Sequence, residues 1–218
     1  MSGITSLWPM VLSYLLGAVP FGLLVARGFG VPDIRALGSR NIGATNVWRV
    51  IGPKAAVWVY VLDIGKGAVA VPLARVVDQD LMPRELFFTL CGLAAVIGHI
   101  FPVYLKFRGG KGVNTALGVM VTLLPLETAI CLILFLATVA LTRYISLGSM
   151  LGATGLAAVL LIERFALHRE LSLIYVGLGL VMMVIVVLAH RSNIRRLVDG
   201  TENRFSFTSP TRESGSHG

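Results

Sequence analysis

Residues 171–189 read LSLIYVGLGLVMMVIVVLA, a run of nineteen positions without one charged side chain. Wound as a helix, the run rises about 28 Å, which matches the hydrocarbon core of a bilayer. Comparable runs occupy 4–26, 55–74, 86–105 and 144–162. No Lys or Arg precedes the first of these, so it lacks the basic leader of a cleaved signal and is expected to be a retained span. A further apolar stretch, 113–142, is divided by Pro125, Leu126 and Glu127. Its two pieces are each short for a straight crossing and are expected to form two short helices or a re-entrant hairpin. Either form returns the chain to the side it left.

Working outward from these runs, the whole chain of 218 residues is 56% hydrophobic and 14% charged, with a mean hydropathy of +0.81. That composition excludes an ordinary soluble domain. The 19 Lys and Arg against 11 Asp and Glu give a formal charge of +8, and the excess falls in the loops. With an even return at Pro125, the segments 27–54, 106–111, 143 and 191–218 share one side and hold 14 Lys or Arg, against 4 on the other. The positive-inside rule then puts the N-terminus outside and the C-terminus in the cytoplasm, with about seven transmembrane helices, some of them short. The expected fold is an all-α integral membrane protein with one polytopic domain over 1–204 and a disordered Ser, Gly and Thr tail over 205–218. Nucleic acid is not an expected partner; membrane lipid and small anions are. Cys91 and Cys131 lie inside apolar runs, so neither a disulfide framework nor a zinc site is indicated. No metal or cofactor is expected, and nothing in the sequence demands more than a monomer.

Three segments on the cytoplasmic side carry candidate chemistry. In GSRNIGATNVWR, 38–49, Asn41, Thr45 and Arg49 recur at i, i+4 and i+8, opposite Val47, Trp48, Val50 and Ile51. This is the pattern of an amphipathic helix lying in the membrane interface, with Ser39 as its expected N-cap. In GHIFPVYLKFRGGKGV, 98–113, Gly109, Gly110 and Gly112 surround Lys111, and Lys106 and Arg108 stand nearby. Glycines let backbone N–H groups close around an oxyanion while the cations neutralise it, so this segment is expected to form a phosphate cradle. In HRSNIRRLVDGTE, 190–202, His190, Asn193 and Arg196 share a helix face, Gly200 stops the helix, and Glu202 is a structural acceptor for arginines. Asp63 and Lys66, at i and i+3 inside a span, are expected to form an ion pair that braces the site from below.

In this order on one face of a multi-span chain, the three segments resemble the acyl-phosphate-dependent glycerol-3-phosphate acyltransferases of bacteria, the PlsY family. The resemblance implies a seven-helix enzyme of the inner membrane that moves a fatty acyl group from acyl phosphate to the 1-hydroxyl of glycerol 3-phosphate, giving lysophosphatidic acid. It assigns catalytic positions to Ser39, Asn41, Arg49, His190 and Asn193. Substrate contacts fall to Thr45, Asn46, Lys106, Gly109 to Gly112 and Arg196, and Glu202 belongs to its third motif. Other glycerolipid acyltransferases carry His-x-x-x-x-Asp, but Tyr104, Leu173 and Arg195 follow His99, His168 and His190 at that spacing. An acyl phosphate already has a good leaving group, so positioning two anions and stabilising an oxyanion suffices. The acceptor proton passes either to His190 or to a substrate phosphate, the latter being proposed for the family. The competing reading is a membrane transporter for organic anions or phosphate, which also builds sites between short or broken helices.

Overall fold

The computed structural model describes residues 7–77 and 80–206. Among them the chain is helical throughout, without a strand. Helices α1 (Trp8–Ala18) and α2 (Phe21–Gly28) form one broken span. The break falls at Pro20, which has no N–H to continue the ladder. The short α3 (Ala44–Val50) precedes α4 (Pro53–Leu73), and α5 (Arg84–Ile100) follows on the far side of a loop. Helix α6 (Val113–Leu123) has only eleven residues, about 16 Å of rise, so it cannot cross a bilayer straight. Leu124 leaves the helical region at ψ 65° and Pro125 opens α7 (Pro125–Thr142), which turns the chain back. Helices α8 (Ile145–Leu161) and α9 (Leu173–Ala189) complete the bundle, and α10 (Arg191–Val198) leaves α9 at 59°.

Among the described residues the apolar helices fall on the runs that the sequence marks. Five are long enough to cross, or six if the bent α9–α10 pair is taken as one span. Large apolar side chains such as Val57, Trp58, Ile133 and Leu136 face outward, as lipid solvation permits. The bundle is held by small residues rather than by a water-driven core. A Cβ at Gly67 would stand 2.1 Å from the Thr115 carbonyl oxygen, and one at Gly118 would stand 2.0 Å from that of Ile64. Helices α4 and α6 thus touch backbone to backbone, which fixes Asp63 on α4 beside the start of α6.

Two expectations on the first segment are revised. The helix begins at Ala44 with Gly43 as N-cap, so Ser39 does not cap it. Instead the Asn41 side chain accepts from the Gly43 N–H at 2.8 Å and closes the turn before the helix. Val47 is buried against Leu23, Ile34 and Val59 rather than against lipid. Of the expected tail, Phe205 and Ser206 pack on the protein through Trp48, and 207–218 lie outside the described residues.

Candidate active site

Residues drawn from 39–49, 99–114, 145–149 and 190–205 line one polar cavity of about 190 Å³. The start of α6 reaches it through Val113 and Asn114, α7 through Phe135 and the start of α8 through Ile145. Arg49, Lys111 and Arg196 enter it from three different segments, and Glu202 is the carboxylate among them. The Glu202 side chain is only 6% exposed. One of its oxygens accepts from the Ser146 hydroxyl at 2.7 Å and from the Asn193 amide, and the other accepts from Arg196 Nε at 2.7 Å. These donors hold its carboxyl below the usual carboxylate range although burial opposes them. Lys111 Nζ in turn donates to the Asn193 side-chain oxygen. Burial pulls the Lys111 ammonium down to about 8; the Glu202 charge opposes that shift and the Arg196 and Arg49 charges add to it.

His190 sits at the junction of α9 and α10, 2% exposed. Its Nδ1 lies 2.8 Å from the Val186 carbonyl oxygen, which can only accept, so Nδ1 carries the proton and Nε2 is left as an acceptor. Burial first, then the Lys111 charge, lowers this imidazole to about 4. Near pH 7 His190 is therefore neutral and a weak base.

The glycine-rich segment works differently from the cradle its sequence suggests. The Gly109 N–H donates to the Ile100 carbonyl and the Gly110 N–H to that of His99, each at 3.1 Å. These groups close the end of α5 and do not face an anion. Lys106 and Arg108 are exposed and lie outside the cavity. What faces inward is Lys111 and the start of α6: Gly112, in the left-handed region at φ +76°, with Val113 and Asn114. The first N–H groups of a helix have no intrahelical partner, so this end adds donors and positive potential beside Lys111.

Within the first segment, Ser39, Asn41, Thr45 and Arg49 all line the cavity. Asn46 does too, but its amide is taken up: Oδ1 accepts from Ser39 N–H at 2.8 Å, and Nδ2 donates to the carbonyls of Ile34, Leu37 and Asn41. It shapes the loop that carries Ser39. Asp63, which lines the cavity, forms the expected pair with Lys66 at 2.8 Å, both side chains essentially unexposed. Lys66 also donates at 3.0 Å to the Val19 carbonyl, at the break between α1 and α2.

Several lining residues escape a motif reading. His99 has its Nδ1 3.6 Å from Asp63 and 3.2 Å from the Thr115 hydroxyl, and it packs against Gly110. An ionisable residue at the end of a span needs a buried partner, and Asp63 offers one; that pairing was the available signal. Ser146, Ser149, Tyr60 and Phe135 come from the spans themselves and carry no local signature. Tyr60, Val113, Asn114, Phe135 and Ser149 also line a second, mostly apolar cavity of about 290 Å³ that runs on among α6, α7, α8 and α9.

The chain is thus a helical membrane protein in which a cationic cavity and an apolar one share part of their linings. The family model for glycerol-3-phosphate acyltransferase matches residues 7–200. The glycerol-3-phosphate acyltransferase of Geobacter sulfurreducens is 47% identical over 193 residues, 88% of this chain and 94% of that protein. Glycerol-3-phosphate acyltransferase 2 of Bacillus anthracis is 40% identical, over 89% of this chain and 96% of that protein. The crystal structure of PlsY (YgiH), an integral membrane glycerol 3-phosphate acyltransferase, superposes in its glycerol 3-phosphate form with a TM-score of 0.82 at 34% identity, covering 93% of this chain and 96% of that one. The form with lysophosphatidic acid gives 0.80 at 33%. The chain belongs to the glycerol-3-phosphate acyltransferase family, in its PlsY branch.

Proposed function

We propose that the protein transfers a fatty acyl group from an acyl phosphate to the 1-hydroxyl of glycerol 3-phosphate, releasing phosphate and lysophosphatidic acid. The observation that carries this reading is that a polar and an apolar cavity lie side by side, with Tyr60, Val113, Asn114, Phe135 and Ser149 lining both. The polar one offers Arg49, Lys111, Arg196 and the start of α6 to phosphate groups, and the apolar one suits an acyl chain. Ser39, Asn41, Thr45, His190 and Asn193 line the polar cavity together with the cations. The crystal structures of PlsY with glycerol 3-phosphate and with lysophosphatidic acid support the same pair of ligands here.

In the proposed step the glycerol oxygen attacks the acyl carbon, the ester C–O bond forms, and the mixed-anhydride C–O bond breaks. The electron pair leaves on phosphate, and the hydroxyl proton goes to that phosphate. With Nδ1–H held by the Val186 carbonyl, His190 offers Nε2 as a hydrogen-bond acceptor that orients the hydroxyl. No covalent acyl-enzyme is required. The Lys and Arg excess at the cavity end supports an active site on the cytoplasmic face of the bacterial inner membrane, with the N-terminus outside.

The test is a steady-state assay of purified protein in lipid nanodiscs with glycerol 3-phosphate and three donors. Lysophosphatidic acid from acyl phosphate, but not from acyl-CoA or acyl carrier protein, is the expected result. Product from either thioester at a comparable rate overturns the donor assignment.

A further inference from the structure

Past α10 the chain turns back at Gly200, in the left-handed region at φ +71°. The Thr201 and Glu202 N–H groups both donate to the Arg196 carbonyl, and Glu202 is anchored by its three side-chain donors. The next four residues, 203–206, then cross the mouth of the polar cavity between two supports that are distant in sequence. On one side the Phe205 N–H donates to the Arg143 carbonyl at 2.7 Å, and Arg204 Nε donates to the Tyr144 hydroxyl at 3.3 Å. These anchor the strap at the α7–α8 corner. On the other side the Phe205 ring meets Trp48 of α3 at 5.2 Å between centroids, and Trp48 Nε1 donates to the Ser206 carbonyl at 3.3 Å. The strap lies beyond residue 200, where the family match ends.

Asn203 and Phe205 both line the polar cavity, between Arg49 of α3 and Ser146 of α8. Phe205 is the aromatic ring that the strap adds, at the α3 and α8 side, to a lining whose other benzene and phenol rings, Tyr60 and Phe135, come from the spans. Such a ring contributes no hydrogen bond to phosphate; it excludes water and keeps the field of the cations unscreened. Water exclusion matters for a mixed anhydride, because water competes with the glycerol hydroxyl for the same acyl carbon.

We propose that the strap is a fixed roof on the phosphate pocket and that Phe205 is a specificity-determining residue, favouring the glycerol hydroxyl over water as acyl acceptor. This rests on the transfer reading above. The side reaction it suppresses is balanced: acyl phosphate and water give fatty acid and phosphate, with the acyl–oxygen bond broken and water's oxygen in the carboxylate.

The experiment compares full-length wild type, Phe205→Ala and Phe205→Leu in nanodiscs, with acyl phosphate and saturating glycerol 3-phosphate. The readout is the ratio of free fatty acid to lysophosphatidic acid, after subtracting spontaneous hydrolysis. The expected result is a several-fold rise in that ratio for Phe205→Ala and a smaller rise for Phe205→Leu, which retains bulk. Should Phe205→Ala not fold, Phe205→Leu alone decides. A wild-type ratio in the decisive variant overturns the proposal while leaving the transfer reading intact. A wild type that makes no lysophosphatidic acid from acyl phosphate overturns both.

Discussion

Lys111 donates its ammonium proton to the side-chain oxygen of Asn193, 82 residues further along the chain. That bond joins the loop before α6 to the first turn of α10, and through the Asn193 amide it continues to Glu202. Glu202 is therefore the hub that sets the positions of Asn193, Arg196 and Ser146 together.

Glu202→Gln removes the charge that balances Arg49, Lys111 and Arg196 while preserving shape. Charge-assisted hydrogen bonds at a buried hub are worth about 3 kcal/mol in total effect, roughly 10²-fold in kcat/KM. A lower melting temperature in detergent is expected to accompany the loss. Because the Glu202 carboxyl is held below its usual range, this support is present above the ordinary carboxylate pKa and is lost as pH falls through the depressed value. Turnover of Glu202→Gln within twofold of wild type would remove the hub from the mechanism.

Lys111 gives a second pH signature, with the opposite direction. Its ammonium is charged below about pH 8 and neutral above. The KM for glycerol 3-phosphate is expected to rise as pH rises through about 8, with kcat less affected, since a neutral amine attracts phosphate poorly. Lys111→Arg keeps the cation at every accessible pH and should flatten this dependence whatever its absolute rate. A KM independent of pH from 7 to 9 in the wild type would contradict a phosphate on Lys111.

The glycine segment separates by position. A Cβ on Gly110 would stand 2.2 Å from His99 Nε2, so Gly110→Ala pushes the imidazole off Asp63 and Thr115. Overpacking of this kind costs about 1–3 kcal/mol and should raise the glycerol 3-phosphate KM by displacing Lys111. Lys106→Ala and Arg108→Ala, exposed and outside the cavity, should leave KM within about twofold, the range of a screened surface charge. A larger effect of Lys106→Ala than of Gly110→Ala on KM would restore the cradle that the sequence suggests.

The apolar cavity predicts chain-length behaviour. Gly152 lines it, and a Cβ there would meet nothing closer than the Cys131 carbonyl oxygen at 3.6 Å. Gly152→Leu places extra carbons where acyl methylenes lie, each worth about 0.8 kcal/mol of burial. Rates measured with acyl phosphates of graded length should fall for long chains and hold for short ones. An equal loss at every length would mean that the chain lies elsewhere.

Much of this fold is legible in the sequence because lipid imposes a simple rule: uncharged runs of bilayer length become helices, and cations collect at one end. Pro125 marked the hairpin and Asp63 with Lys66 marked a buried pair for the same reason. The cavity lining was legible where residue type alone marks a side chain, as for Arg49, Lys111, His190 and Asn193, which all reach it. It was not where function depends on backbone direction. Nothing in the letters Gly109-Gly110 says that their N–H groups turn back onto α5, nor that the Asn46 amide is used up by the loop carrying Ser39. Ser146 and Ser149 are common small residues of membrane helices, and only the packing of α8 brings Ser146 to Glu202 and Ser149 to the lining of both cavities.

The most direct test follows phosphorus signals in one sample containing the protein, acyl phosphate and glycerol 3-phosphate. Phosphorus NMR is expected to show the acyl phosphate resonance replaced by inorganic phosphate and the glycerol 3-phosphate resonance replaced by an equal amount of lysophosphatidic acid, and no such change with Arg49→Ala. An acyl phosphate resonance that persists unchanged, in protein that makes lysophosphatidic acid when given acyl-CoA instead, would contradict the assignment.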